Sequence, residues 1–303
     1  DQWAKDIAAI AANHITRITA LVDDPDSPAA HQFSIFLDAL RRNLNESITR
    51  DGAIEMLAQH MITKPVFDAL FEGYEFTRSN PVSRVMDRMV EALTAMHVDA
   101  EADSLEAFYE SVRLRAAGID NAEGKQKIIT ELYESFFKNA FPRAADAMGV
   151  VYTPIEIVDF ILRSVNDVLK QEFGRSISDE GVHVLDPFTG TGTFIVRLLQ
   201  SGLIAPEDLA RKYASELHAN EILLLAYYIA AINIETTFHD LRAAADGVDL
   251  ADEAYEPFDG IVLTDTFQQT EDGDLVDKTV FPTNNIRAEA QKALDIRVIV
   301  GNP

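Results

Sequence analysis

The sequence predicts two regions of different fold class, an all-α helical domain followed by an open α/β sheet that the end of the chain truncates. In the first region apolar residues recur at spacings of three and four, which is the pattern of one helix face. After residue 149, helical stretches alternate with short runs of β-branched residues, which indicates a parallel sheet covered by helices. The chain has 303 residues and is 47% hydrophobic, so it can form two cores. We therefore assign residues 1–148 to a helical domain and residues 149–303 to an α/β domain.

The helical domain is predicted to contain several helices joined by short turns. Two clear runs at helical spacing are Ile7, Ile10, Ile15 and Ile18, and Met86, Met89, Val90 and Leu93. Helix breaks are predicted where Pro, Gly, Asp and Asn combine, at residues 23–28, 64–65, 79–81 and 118–124. A further amphipathic helix is expected at residues 124–141, directly before the second region.

The α/β domain is predicted to begin with a helix near Pro154. Strands are then expected at residues 182–186, up to about 215–216, at 260–264 and at 296–300, with helices at 193–199, 220–234 and 287–294. An acidic, Ala-rich connection is expected at residues 236–257. Because ligands of such sheets bind beyond the carboxyl ends of the strands, a binding site is expected there.

Composition excludes several classes of function. The chain has no cysteine, which excludes disulfides and thiolate metal sites and suits a reducing compartment, so we expect the bacterial cytoplasm. The longest apolar stretch, residues 222–234, is too short to span a bilayer. The formal net charge of −24 opposes the phosphate neutralisation that DNA binding requires, so the chain should not bind nucleic acid tightly by itself. No histidine pair at metal-ligand spacing has a clear third ligand, and no metal site is predicted.

A Gly-rich segment after the first strand is the strongest local signal for a ligand. It consists of Asp186, Pro187, Phe188, Thr189, Gly190, Thr191, Gly192, Thr193 and Phe194. Its glycines would let the backbone approach a ligand closely, although a Gly-x-Gly by itself is more often an ordinary turn. A dinucleotide fingerprint needs a third glycine where Ile195 stands, and a phosphate-binding loop needs Gly-Lys-Ser/Thr, so neither fits. The acidic residue at the strand end suits a cationic ligand.

Other short motifs have simple structural explanations when each is taken alone. Tyr152-Thr153-Pro154 precedes a helix, and Thr153 with Glu156 can form a capping box. Glu216 ends the second predicted strand and is compatible with a solvated loop carboxylate, while Phe267, two residues after Asp265, is equally compatible with a core position. Asn302-Pro303 follows the last strand, but Asn80-Pro81 shows that the same pair can simply start a helix.

In this order, however, the motifs resemble those of DNA adenine-N6 methyltransferases, whose catalytic motif is Asn-Pro-Pro-Tyr. The resemblance covers residues 151–303 and implies the Rossmann-like sheet of S-adenosylmethionine-dependent methyltransferases, here truncated. It implies that residues 186–194 surround the cofactor and that Thr153, between Tyr152 and Pro154, contacts the carboxylate of its methionine part. Its ribose hydroxyls would be bound by Glu216, with Glu221 as a competitor; its adenine would be bound by Asp265 and packed against by Phe267.

The resemblance places the chemistry on Asn302 and Pro303. The side-chain oxygen of Asn302 and the carbonyl of Pro303 would accept hydrogen bonds from the exocyclic amine of an adenine flipped out of the duplex. The chain stops before the second Pro and the aromatic residue of the motif. We therefore interpret it as a piece of a longer enzyme and expect it to be inactive alone.

The sequences of residues 186–194 and 213–221 look most like those of Type ISP restriction-modification enzymes. In those single polypeptides a nuclease and a helicase-like motor precede a helical coupler and the methyltransferase. This implies that residues 1–148 are the coupler and that double-stranded DNA is bound through regions mostly outside this chain. Three alternatives stay open: the modification subunit of a Type I system, a non-catalytic methyltransferase-like scaffold, and an RNA or protein methyltransferase.

Overall fold

A computed structural model describes residues 2–70, 76–95, 153–247, 255–268 and 280–303. The chain forms two compact units, Asp1–Val150 with Val276–Phe281, and Val151–Leu275 with Pro282–Pro303. The expected break at 118–124 and the expected helix at 124–141 lie outside the described residues, and the domain boundary after residue 148 stays a prediction. Among the described helices, none combines the length and the apolar character that crossing a membrane requires.

The described part of the first unit is all helical, as predicted. Its helices are α1 (Gln2–Val22), α2 (Pro28–Asn43), α3 (Arg50–Leu70), α4 (Phe76–Ser79) and α5 (Pro81–Thr94). Ser27 caps α2 by accepting a hydrogen bond from the backbone N–H of Ala30 at 3.0 Å. Asn80 caps α5 by accepting from the N–H groups of Val82 and Ser83, both at 3.0 Å. These caps confirm two of the predicted helix breaks.

The break predicted at residues 64–65 is wrong, because α3 continues through Pro65. Proline removes one backbone hydrogen bond and disfavours a helix interior. On both sides of Pro65, however, α3 buries the apolar side chains of Ile62, Val66 and Phe67. Burial of each such side chain contributes about 1.5 to 3 kcal/mol, which offsets the loss at the proline.

The second unit alternates helices and parallel strands. Its elements are α6 (Ile155–Phe173), β1 (His183–Asp186), α7 (Thr193–Gln200), β2 (Leu217–Glu221), α8 (Leu224–Asp246), β3 (Ile261–Leu263), α9 (Pro282–Lys292) and β4 (Ile296–Ile299). Short helical turns occupy Pro206–Glu216 before β2. The four strands are parallel and lie in the order β3-β2-β1-β4, which confirms the predicted α/β sheet.

The strand order reverses next to β1, which pairs with β2 on one side and with β4 on the other. Leu185 lies opposite His218 of β2 and opposite Ile299 of β4. Such a switch point opens a crevice at the carboxyl ends of the strands, where ligands of open α/β sheets bind.

Two predicted element boundaries near β2 are wrong. Residues 215–216 do not end a strand, because Lys212–Glu216 forms a π-helical turn and β2 begins at Leu217. The following helix starts at Leu224 and continues to Asp246, through the first half of the expected connection at 236–257. Polar residues of α8 suggested a loop, but they are buried with partners: Glu235 accepts hydrogen bonds from the Tyr255 hydroxyl and the Phe258 N–H.

Candidate functional site

The carboxyl ends of the four parallel strands meet at one edge of the sheet, which we call the carboxyl edge. β1 ends at Asp186 and β2 ends at Glu221. β3 leads into Asp265, and β4 leads into Gly301 and Asn302. The structure therefore brings the Gly-rich loop and the Asn-Pro segment to the same side of the second unit.

The Gly-rich loop turns directly from β1 into α7 and is tied to the end of β2. The N–H of Thr189 donates to the carbonyl of Asn220 at 2.9 Å. Gly190 and Gly192 have φ angles of +57° and +89°. A Cβ atom at Gly192 would lie 3.2 Å from the backbone of Ala230 in α8, so this glycine allows close packing. A Cβ atom at Gly190 would meet nothing within 4 Å, so this glycine borders the open side, where a ligand can approach.

Asp186 is a fully buried carboxylate with one oxygen free. It is 0% exposed, and its Oδ1 atom accepts from the N–H of Phe188 at 3.2 Å. Its Oδ2 atom is buried and makes no hydrogen bond. Burial raises the pKa of Asp186 to about 7, opposed by the bond from Phe188 and reinforced by the charge of Glu221. A cationic ligand would stabilise the ionised form.

Glu221 joins the end of β2 to the Gly-rich loop. Its Oε2 atom accepts from the N–H of Gly190 at 2.8 Å, and its Oε1 atom accepts from the N–H of Leu223 at 2.7 Å. Burial raises the pKa of Glu221 to about 7, although these backbone bonds favour the charged form. Glu221 is the last residue of β2 rather than part of the next helix, so it lies beside the Gly-rich loop.

Glu216, the residue first predicted to bind the ribose hydroxyls, lies at the other end of β2. It precedes the first residue of the strand and is buried. Its carboxylate accepts from the N–H of Gly181 at 2.7 Å and forms ion pairs with Arg211 and the fully buried Lys212. Burial opposes its charge, but these partners outweigh burial and lower the pKa of Glu216. Glu216 thus stabilises the turn before β2 through its ion pairs and does not lie at the carboxyl edge.

The residues after β3 contribute an aromatic pair. The N–H of Phe267 donates to the carboxylate of Asp265 at 2.9 Å. The ring of Phe267 is 72% exposed and lies 5.4 Å from the ring of Phe188, centroid to centroid. Thr266 donates to the carbonyl of Pro187 at 2.8 Å, which joins the exits of β1 and β3. The pair therefore offers an accessible apolar surface beside the Gly-rich loop.

The Asn-Pro segment lies next to Asp186. A Cβ atom at Gly301 would come within 2.7 Å of the Oδ1 atom of Asp186, so a side chain there would displace the carboxylate. Asn302 and Pro303 are exposed. The Nδ2 atom of Asn302 donates to the Oγ1 atom of Thr153 at 3.0 Å. Three predicted site residues, Thr153, Asp186 and Asn302, are thereby brought together.

The expected capping box at the start of α6 is absent from the described structure. The helix begins at Ile155, and no side chain caps its first N–H groups. The carbonyl of Pro154 accepts from the backbone of Ile157 and Val158 instead. The hydroxyl of Thr153 therefore bonds Asn302 and not its own helix, while Tyr152 lies outside the described residues.

Phe194 packs in the core rather than beside a ligand, and one supporting residue was not predicted from the sequence. Phe194 is buried in α7, and Thr193 is the first residue of that helix. Asn233 of α8 is buried, and its Nδ2 atom donates to the carbonyl of Thr191 at 2.9 Å. The available signal was a lone amide in an otherwise apolar stretch, which indicates a polar contact inside the core.

The described residues contain no group of three side chains able to hold a metal ion. Their closest histidine pair is at the amino end of the sheet, where ring nitrogens of His183 and His218 lie 3.0 Å apart. The carboxyl edge instead combines two buried carboxylates, an aromatic pair and an exposed amide. The carboxylates are Asp186, whose ionised form a cation would stabilise, and Glu221. The aromatic pair is Phe188 with Phe267, and the amide is that of Asn302. This set can bind a flat, cationic organic ligand and present a hydrogen-bond acceptor to a second molecule.

Comparisons with known proteins assign both regions of the chain to described families. A family model described as the coupler domain of Type ISP restriction-modification enzymes matches residues 1–124. A model described as N-6 DNA Methylase matches residues 124–290. No match was found among curated proteins.

Solved structures match the chain over its entire length. A nuclease-deletion mutant of the Type ISP enzyme LlaGI with a DNA substrate mimic is 48% identical, with a TM-score of 0.88. The ATP-dependent Type ISP enzyme LlaBIII bound to DNA is 50% identical, with a TM-score of 0.89, and a DrdV–DNA complex is 30% identical, with a TM-score of 0.81. The chain spans 24%, 20% and 29% of these three proteins, respectively.

Proposed function

Because the chain belongs to the N-6 DNA Methylase family and carries the coupler domain of Type ISP restriction-modification enzymes, we propose that it is part of a bacterial enzyme that methylates adenine N6 in DNA. The observation that carries this proposal is the meeting of Asp186, Thr153 and Asn302 at the carboxyl edge. A methyl-donor site and an acceptor for the target amine are then neighbours in one crevice.

The residues at the carboxyl edge fit S-adenosylmethionine. Its ammonium and sulfonium groups suit the buried carboxylate of Asp186, whose Oδ2 atom makes no bond. Glu221 can accept from ribose hydroxyls in place of Glu216, while Asp265 and Phe267 would bind the adenine ring and its amine. Thr153 would bind the carboxylate of the methionine part. When bound, S-adenosylmethionine supplies an electrophilic methyl group.

Asn302 and Pro303 would position the target base. The Oδ1 atom of Asn302 and the carbonyl oxygen of Pro303 are acceptors, and the exocyclic amine of adenine has two N–H donors. Both residues are exposed, as contact with an extruded base requires. Holding the amine by both donors replaces random encounter with one fixed orientation, which lowers the entropic part of the barrier.

DNA binding and translocation would depend on the longer polypeptide. The matched Type ISP structures contain DNA, and the chain corresponds to about a quarter or less of those two proteins. The net charge of −24 makes these 303 residues a poor DNA-binding surface. We propose that the basic contact surface, a helicase-like motor and a nuclease belong to other parts of the same polypeptide, with residues 1–148 as the coupler.

The test uses the full-length enzyme, double-stranded DNA and S-adenosylmethionine with a tritiated methyl group. Wild-type enzyme should yield N6-methyladenine on digestion of the DNA. Asn302→Ala should lower the rate by about 100-fold or more, since amine positioning is lost, and should still bind the cofactor. Glu207→Gln, which changes an exposed carboxylate in the turn before β2, serves as a charge control.

Two outcomes would contradict the proposal. A wild-type rate in Asn302→Ala would remove the catalytic assignment. Cofactor binding by the wild-type enzyme without any methyl transfer would favour the scaffold alternative. The coupler match already argues against the Type I alternative.

A further inference from the structure

We propose that Thr153 is a positioning residue that orients the side-chain amide of Asn302 for the target amine. This inference rests on the proposed function and adds a second role to a residue expected only to bind the cofactor. Its basis is the hydrogen bond from the Nδ2 atom of Asn302 to the Oγ1 atom of Thr153, which measures 3.0 Å and joins residues 149 positions apart.

The local use of Thr153 as a helix cap is not realised. No side chain caps α6, although Thr-Pro-x-Glu is a favourable capping sequence. The hydroxyl is therefore available for a distant partner, and it accepts a hydrogen bond from Asn302 in the segment after β4. A bond that replaces a good local alternative indicates that the tertiary arrangement determines where this hydroxyl points.

The bond sets which end of the amide faces outward. An asparagine amide has a donor end and an acceptor end, and a half-turn about its last torsion exchanges them. Methylation of adenine N6 requires the acceptor end to face the amine. Because Thr153 accepts from Nδ2, the Oδ1 atom is left for the base, and Asn302 is exposed enough to receive it.

The backbone that leads to Asn302 is fixed to the sheet, because the N–H of Val300 donates to the carbonyl of Leu185 at 2.9 Å. Gly301 lies so close to Asp186 that a Cβ atom would come within 2.7 Å of the carboxylate. The chain before Asn302 is thus held by β1, and the end of its side-chain amide is held by Thr153. An exposed asparagine without the second restraint would sample several rotamers and lose part of the gain from orientation.

One hydroxyl would then serve both substrates. After accepting from Asn302, the Thr153 hydroxyl still has its own hydrogen to donate. Donation to the carboxylate of the methionine part, as proposed above, would keep the hydroxyl oxygen turned towards Asn302. Cofactor binding would therefore strengthen the orientation of the amide.

The experiment measures methyl transfer by the full-length enzyme in single turnovers, with saturating DNA and a series of S-adenosylmethionine concentrations. Thr153→Val removes the hydroxyl at nearly constant volume, and Thr153→Ser retains it. Thr236→Val is the matched control, because the hydroxyl of Thr236 bonds only carbonyls of its own helix in the described contacts. Circular dichroism shows whether each variant is folded.

At saturating cofactor, Thr153→Val should transfer the methyl group about 10- to 100-fold more slowly than wild type, while Thr153→Ser and Thr236→Val stay within about threefold. A rise in the cofactor concentration needed for half-saturation, with an unchanged maximal rate, would reduce Thr153 to a cofactor contact and overturn the inference. An equal loss in Thr153→Ser would also overturn it, because the hydroxyl would not be the cause. Absence of methylation by wild-type enzyme would instead refute the proposed function.

Discussion

Replacing Asp186 by asparagine should stabilise the 303-residue chain at alkaline pH and remove its affinity for the proposed cofactor. Burial raises the pKa of Asp186 from 3.8 to about 7, so above pH 7 the folded chain holds a buried charge whose Oδ2 atom makes no hydrogen bond. A shift of about three pKa units corresponds to a destabilisation on the order of 4 kcal/mol.

The sign of this contribution sets the pH dependence. The folded chain binds the Asp186 proton more tightly than the unfolded chain does, so the free energy of unfolding falls as pH rises from about 4 to about 7, then levels off. Asparagine keeps an acceptor for the N–H of Phe188 but leaves a buried amide donor unpaired, at about 1 to 3 kcal/mol. The net gain expected for Asp186→Asn is therefore about 1 to 3 kcal/mol at pH 8, shrinking towards zero at pH 5.

Urea unfolding followed by circular dichroism measures this difference at pH 5 and pH 8, with Glu207→Gln as the exposed control. S-adenosylmethionine should raise the stability of wild type at pH 8 and have no effect on Asp186→Asn. The reasoning is refuted if Asp186→Asn is equally or less stable than wild type at pH 8.

Three further predictions follow from other contacts. Gly301→Ala should weaken cofactor affinity by about tenfold or more in calorimetry, because its Cβ would clash with the Asp186 carboxylate; unchanged affinity would show that the two strand ends can separate. Glu221→Gln should weaken cofactor affinity, whereas Glu216→Gln should leave cofactor affinity intact. Glu216→Gln should instead lower the free energy of unfolding by about 3 kcal/mol, because it leaves the buried Lys212 without its counter-charge. The reverse pattern would restore Glu216 as the residue that binds the ribose hydroxyls. Burial opposes the ionisation of Asp87, but hydrogen bonds from a histidine and a lysine of α3 outweigh burial and lower the pKa of Asp87. The Asp87 carboxylate therefore stabilises the folded state above its unfolded pKa, and this stabilisation is lost as pH falls through the folded pKa. Asp87→Asn should make the free energy of unfolding less dependent on pH in the acid range, and an unchanged pH dependence would contradict this.

The sheet could be predicted because its strands are short apolar runs that end in chemically distinctive residues. Asp186 and the Asn302 segment were located at strand ends from sequence, and both lie there in the structure. The position of Glu216 was mistaken because a π-helical turn brings polar residues directly before β2, and periodicity does not distinguish that turn from the end of a strand. Shifting the strand by five residues exchanges one end of the sheet for the other.

Long-range partners account for what the sequence could not provide. The helix was predicted to end at residue 234, before an acidic, Ala-rich stretch, whereas α8 continues to Asp246 and the carboxylate of Glu235 accepts hydrogen bonds from the segment before β3. Likewise, Thr153 reads as a helix cap until Asn302 is placed next to it. In both cases a local preference is overridden by a partner that only the folded sheet brings near.

The strand order has a consequence for how the sheet folds during synthesis on the ribosome. β1 lies between β2, which follows it closely in the chain, and β4, which is synthesised only after α8, β3 and α9. A nascent chain can therefore pair three strands and fold the Gly-rich loop while the edge that receives β4 is still open. Asn302 joins Thr153 only when that last strand docks, so the emerging polypeptide can form the Gly-rich loop before it forms the Asn302–Thr153 contact.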